Sequence, residues 1–392
     1  MTVWSITDFA FWLPDAYYSL YVTALGASTQ LLGAMVAVST VIVAFAQLAG
    51  GFWADQTGRK RLILGVSFGK ALTYLIFAVA PMWQFILLGE ALLGITTVYL
   101  PAAGAMFADS LPEDKRGLGY SVSLAVGATT ILSPIVAGFL YLRFNLVGAM
   151  RIAYIIVSIC WFISAFIFTR LIETTSDPKQ KTSLKESLKQ VPTALKESAT
   201  VWKYLPKSVL VLFLVFSPVT FFIRMCAPYY ALYATHVLQV GEFDWALLQM
   251  AYFLVYYALL LPVGKMVDIA GRKKALVLSS VLFAAGTTLF LSGDIFRLYA
   301  YFALTAGGNA LVFTAYSSLQ MDLTPKESRG KLLGFTNFAD SMLAAVAVFL
   351  GGLIYENISP SVPFVLLLAI LIPTALATSL FIKEGKRVQK SG

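Results

Sequence analysis

The chain has 392 residues, 59% of them hydrophobic and 12% charged, with a formal net charge of +9 and a mean hydropathy of +0.79. Soluble domains run at about 45–50% apolar and about 25% charged, so this chain has too few charges to cover a soluble surface. Two cysteines, Cys160 and Cys226, both in apolar runs, and a single histidine, His236, give neither a disulfide framework nor a zinc site.

A bilayer core takes about 20 apolar residues of helix. In chain order the apolar runs predict twelve spans, at 3–24, 31–53, 62–80, 84–108, 117–141, 148–170, 207–234, 245–266, 275–293, 297–321, 331–355 and 361–382. Residues 207–223 and 361–382 show none of the ten-residue alternation of a barrel strand. The predicted class is an all-α integral membrane protein. The first run has no basic leader and carries Asp8 and Asp15, so it reads as a span and not as a cleaved signal.

Twenty-three of the 29 lysines and arginines fall in one set of loops. They include Arg59, Lys60 and Arg61, Lys115 and Arg116, Arg272 to Lys274, and the 179–207 stretch. The opposite loops hold Arg143, Arg151 and Arg297. By the positive-inside rule both termini and the middle loop are cytoplasmic, in agreement with an even span count. The middle loop, 171–206, divides the chain into 1–170 and 207–392. Within it Leu184, Leu188, Val191, Leu195, Ala199 and Trp202 recur at helical spacing between lysines. That pattern reads as an amphipathic helix on the membrane face, with a solvated linker as the alternative.

The halves repeat. Gly51, Asp55, Gly58, Arg59, Lys60 and Arg61 recur 213 residues on as Gly264, Asp268, Gly271, Arg272, Lys273 and Lys274. Asp109, Pro112, Arg116 and Gly117 recur at the same offset as Asp322, Pro325, Arg329 and Gly330, and Tyr17-Tyr18 recurs as Tyr229-Tyr230 at 212. Two six-helix bundles related by pseudo-symmetry follow, a plan that supports alternating access around a central site. The motif G-x-x-x-D-x-x-G-R-K-[RK], once per half between the second and third spans, resembles the signature of the major facilitator superfamily. Helix count, long central loop and both signature copies extend the resemblance over the whole chain.

The resemblance implies a transporter whose signature residues form a cytoplasmic latch, with Arg59 near Asp109, Arg272 near Asp322, and Asp55 facing a helix N-terminus. Basic anchoring alone is the alternative for the lysines. Gly51 and Gly264 are expected to let helix ends approach closely. In the fifth span Ser133, Pro134 and Gly138 resemble the proline-glycine element that the family's exporters often carry. The alternative reading is small residues for close packing.

Ionisable residues at membrane depth are functional candidates. Here they are Asp8, Asp15, Lys70, Glu90, Arg224 and Asp340. Asp15 and Arg224 lie about 13 and 15 Å from the outer ends of their spans at 1.5 Å per residue. They are expected to meet across a central cavity lined also by Trp12, Tyr18, Tyr230, Tyr252 and Tyr256. An interfacial aromatic belt is the alternative for the outer tyrosines. Glu90 stands where many family members carry an arginine linked to proton coupling, and Glu90 or Asp340 is expected to carry the proton. Asp8, close to the cytoplasmic edge, has solvation as its alternative, and Lys70, on a helix usually peripheral in this fold, is expected to snorkel or pair.

The leading reading is proton-coupled efflux of a small organic solute by a monomer in the cell membrane. Lipid surrounds it, and neither a cofactor nor nucleic acid is involved. Uptake by symport or uniport, with Arg224 holding an anionic group, is the runner-up. An intramembrane enzyme is disfavoured, since no H-E-x-x-H occurs, and the absence of a G-x-x-x-x-G-K-[ST] loop argues against an ATP-driven pump.

Overall fold

The computed structural model describes residues 2–109, 126–170, 206–324 and 329–382, which are helical apart from short turns. The predicted linker helix, the start of the fifth span and Arg116 lie outside the described residues.

Helix α1 is broken, running Thr2–Trp12, then a 3₁₀ turn Asp15–Tyr17, then Tyr18–Ala24. Helices α2 (Thr29–Thr57) and α3 (Arg59–Val79) follow. Helix α4 is broken as well, with Trp83–Thr96 and Leu100–Asp109 separated by the turn Thr97–Tyr99. The stretch Leu132–Phe168 contains α5 and α6, divided where Asn145 takes φ 57° and ψ 176°. Helix α7 starts as Lys207–Cys226 and continues through a 3₁₀ turn, Ala227–Tyr229, into a short further segment. Helices α8 (Glu242–Ala270), α9 (Arg272–Leu291), α10 (Ile295–Leu323), α11 (Arg329–Asn357) and α12 (Val362–Phe381) complete the two six-helix bundles. Ten described stretches are long and apolar enough to cross a membrane. Counting the 128–168 stretch as two helices and adding the broken α1 agrees with the twelve spans expected.

Local chemistry sets the helix ends. Ser28 caps α2 by accepting from the Leu31 N–H at 3.2 Å, and Asp294 caps α10 by accepting from Arg297 at 2.9 Å. Helices α2 and α8 run past the predicted ends at 53 and 266 to Thr57 and Ala270. Hydropathy marks where the bilayer core ends, not where a helix ends. Each is then joined to its successor by one glycine, Gly58 at φ 84° or Gly271 at φ 97°. Only glycine takes such a conformation without strain. These two links lie on what is called here the basic face.

The bundles pack against one another chiefly through α2 on α11 and α5 on α8. Toward the face opposite the basic loops the first pair is backbone-close. A Cβ added at Gly352 would lie 2.9 Å from the Thr29 carbonyl oxygen, and one at Gly33 2.8 Å from that of Val348. The largest buried cluster runs through both bundles and includes Tyr17, Tyr21, Tyr229, Trp245 and Phe364. Tyr17, Tyr21 and Tyr229 are at most 1% exposed. They are packing residues, and the aromatic-belt alternative fails for them.

Candidate transport site

The breaks in α1 and α7 fall at matching places in the repeat. Asp15–Tyr17 and Ala227–Tyr229 are both 3₁₀ turns, 212 residues apart. Pro14 precedes the first and Pro228 lies within the second, and proline lacks the N–H that would continue an α-helical ladder. Discontinuous helices at pseudo-symmetric positions are the usual way a membrane protein aims polar groups at its midplane.

A cavity of about 250 Å³ lies at these breaks. Asp15, Tyr18 and Ser19 of α1 line one side, with Ala227, Tyr230 and Ala231 of α7 opposite. The bundle of α7 also supplies Trp245, Gln249 and Tyr252 from α8, Phe283 and Thr287 from α9, and Tyr301, Phe302, Thr305 and Asn309 from α10. Asp15 is the one ionisable carboxylate among the lining residues, and no lysine, arginine or histidine is with it. The walls are otherwise aromatic rings and uncharged hydrogen-bonding groups. Tyr230 packs on Phe290 at 5.1 Å, and Tyr252 stacks on Tyr256 at 6.1 Å. That gives an aromatic surface with one carboxyl group.

Of the expected cavity residues, Asp15, Tyr18, Tyr230 and Tyr252 line it, whereas Trp12, Glu90, Arg224, Tyr256 and Asp340 do not. Tyr256 stands behind Tyr252, and Trp12 packs edge-on against Phe253 of α8 at 5.1 Å. Glu90 lies behind Tyr18 on α4, its carboxylate accepting from the Ser39 hydroxyl at 3.0 Å. Tyr18 lines the cavity, and its buried hydroxyl lies beside the Glu90 carboxylate, which does not line it. The expected Asp15–Arg224 ion pair is not formed in this conformation. Arg224 lies instead within electrostatic range of Asp340 of α11, with no ion pair formed between them, and Asp340 also neighbours Tyr316. The residue at the register position of Asp15 is Ala227, and one turn earlier the cavity face of α7 is carried by Ile223, with Arg224 beside it and off the lining.

Sequence reasoning missed Gln249, Thr287, Thr305 and Asn309. Gln249 is the one amide in α8 and could have been singled out, but Thr287 adjoins Thr288, and Thr305 and Asn309 share α10 with further polar residues, so nothing in the sequence set these three apart. For Lys70 it offered only snorkelling or pairing. The ammonium sits 4.5 Å from the Tyr99 ring centroid and 4.4 Å from that of Trp161, a double cation–π contact inside the first bundle. Such a contact is worth about 2 kcal/mol when desolvated.

On the basic face Arg272 of α9 and Asp322 of α10 form an ion pair, as the signature implies. Arg59 and Asp268 are engaged as well. The side chains of Gly51, Asp55, Asp109 and Arg329 lie outside the described ones. Gly264 does not serve the close approach expected of it: a Cβ there would meet nothing within 4 Å. Ser133, Pro134 and Gly138 hold α5 in place. The Ser133 hydroxyl donates to the Phe9 carbonyl at 2.9 Å, and Pro134 follows the 3₁₀ turn Ala128–Ile131. A Cβ at Gly138 would come within 2.8 Å of Ala246 on α8.

The Major Facilitator Superfamily model matches residues 3–246 and 212–392. The chain belongs to that superfamily. Curated relatives include the multidrug resistance protein MdtG of Dickeya zeae, 32% identical over 177 residues, which are 43% of this chain and 42% of that protein. MdtG of Escherichia coli strain 55989 is 28% identical over 216 residues, 53% of this chain and 49% of the relative. The chain thus matches about half or less of these relatives' length. Among solved structures, a point mutant of the peptide transporter POT in complex with sulfate superposes with a TM-score of 0.75 at 14% identity, covering 97% of this chain and 92% of that one. The xylose transporter XylE from E. coli, in a partially occluded inward open conformation, gives 0.72 at 12%, covering 98% and 97%. At these identities the likeness concerns the fold.

Proposed function

We propose that this superfamily member is a secondary active transporter that expels a small organic solute from the cell by alternating access, driven by protons. The observation that carries the reading is the cavity at the paired breaks of α1 and α7, with Asp15 as its one carboxyl group within an aromatic wall. An amphipathic solute bearing a positive charge suits it: rings stack on the tyrosines, and the cation meets both carboxylate and aromatic faces. Glu90, beside the Tyr18 hydroxyl, is the proton carrier in this scheme, and Asp340 beside Arg224 is the second candidate. The latch residues Asp55, Arg59 and Asp109, with their repeat mates, close the basic face when the opposite face opens. The protein sits in the cell membrane as a monomer, with both termini and the basic face in the cytoplasm. Support for the export direction comes from the relatives' description as multidrug resistance proteins.

Counterflow in proteoliposomes tests this. Size-matched cationic, neutral and anionic aromatic solutes are compared, with and without a pH gradient. Cationic solutes should exchange fastest, and an inward proton gradient should drive their export. Equal exchange of the anionic set, or no response to the gradient, overturns the scheme. The uptake alternative built on Arg224 finds no support in the geometry, because Arg224 does not line the cavity.

A further inference from the structure

We infer that Glu356, in the last turn of α11, is the clasp that holds shut the face opposite the basic loops, and that its release accompanies each opening to that side. The inference rests on the alternating-access reading above and adds a residue to it.

Glu356 is exposed on α11 of the second bundle, and its contacts are in the first. One carboxylate oxygen accepts from the Gln30 N–H at 2.6 Å and from the Thr29 hydroxyl at 3.0 Å. Those groups form the first turn of α2, where unsatisfied N–H groups and the helix dipole favour a negative charge. Ser28 already caps the Leu31 N–H, so the carboxylate satisfies a different donor. Gly352, one turn earlier on α11, brings the backbones together at the same place. Glu356 therefore lies across the junction that must part when the bundles rock open.

Two other cross-bundle hydrogen bonds close this face. The Tyr17 hydroxyl donates to the Glu242 carbonyl at 2.6 Å, and the Trp245 indole N–H to the Ala16 carbonyl at 2.8 Å. Both acceptors are neutral backbone. At the offset of 213, Arg143 corresponds to Glu356 and Glu242 to Thr29. There the polarity is reversed, and among the described residues Arg143 makes no ion pair with Glu242. At this second junction the Glu242 side chain sits against the Tyr141 hydroxyl of α5, whereas at the α2–α11 junction the carboxylate meets a helix N-terminus of the other bundle.

The test uses the full chain in proteoliposomes, with Cys160 and Cys226 replaced and Ala231→Cys as the reporter in the cavity wall. A membrane-impermeant maleimide is applied from the face opposite the basic loops. Glu356→Ala should raise the labelling rate about 3- to 10-fold, the range expected for losing a charged acceptor at a helix N-terminus. Glu356→Gln, which keeps an acceptor and loses the charge, should raise it less, and Arg143→Ala should leave it within about twofold of the parent. Monodisperse elution reports folding. If Glu356→Ala does not fold, Glu356→Gln decides alone, with an unchanged rate refuting the clasp. Asp55→Asn, at the opposite face, separates the two ideas. A changed rate with Asp55→Asn and an unchanged one with Glu356→Ala overturns the clasp and leaves alternating access standing. No change with either overturns alternating access and the clasp together.

Discussion

The 3₁₀ turns of α1 and α7 have the same backbone break at the same place in the repeat and opposite chemistry. The first presents Asp15 to the cavity; the second presents Ala227 at the matching position, with Tyr230 a turn further on. The shared break makes a cavity between the bundles, and the difference in side chains gives it a carboxyl group on one side and an aromatic, amide-bearing surface on the other. Duplication builds the geometry of the site, and divergence within it sets what the site can hold.

The most direct way to break this contrast is to remove its charge. Asp15→Asn should lower cationic solute exchange by about 10- to 100-fold, the range for a lost charge-assisted contact, with neutral solutes little affected. A uniform loss for all solutes, measured by counterflow, would make Asp15 a structural residue instead. Next in size is the coupling residue. Glu90→Gln should leave counterflow at fixed pH within about threefold of the parent while reducing gradient-driven transport about tenfold. If gradient-driven transport survives in Glu90→Gln, the same measurement on Asp340→Asn decides whether the second candidate carries the proton. The aromatic and amide side comes third. Tyr252→Ala or Asn309→Ala should weaken solute binding about 3- to 10-fold without altering the pH response, as read by half-saturation in the same assay.

The smallest effects concern the basic face. Gly271→Ala forces a β-carbon into φ 97° and should cost about 1–2 kcal/mol of stability. Gly264→Ala, with open space around it, should cost nothing measurable or stabilise slightly through helix propensity. Thermal unfolding in detergent distinguishes them, and equal losses would contradict the conformational argument. Arg272→Ala should cost under about 1 kcal/mol, since the pair it makes with Asp322 is partly exposed.

The sequence by itself determined the twelve spans, the two bundles and the register between them. Apolar length, basic loops and a motif repeated at constant offset are local facts of the chain, and no folded partner can change them. It also singled out Asp15, Tyr18, Tyr230 and Tyr252, because an ionisable or amphipathic side chain at midplane depth has few places to go. Helical rotation was beyond it. Depth along a span follows from counting residues, but whether Arg224 faces Asp15 or Asp340 depends on how α7 is turned and on which neighbours α11 brings. Only packing settled that, as it settled the lining role of Gln249 and Asn309. The Glu356 contact with α2 joins residues 326 apart. It exists only because Gly352 lets two helices of different bundles touch, which is a property of the assembled fold and not of either segment.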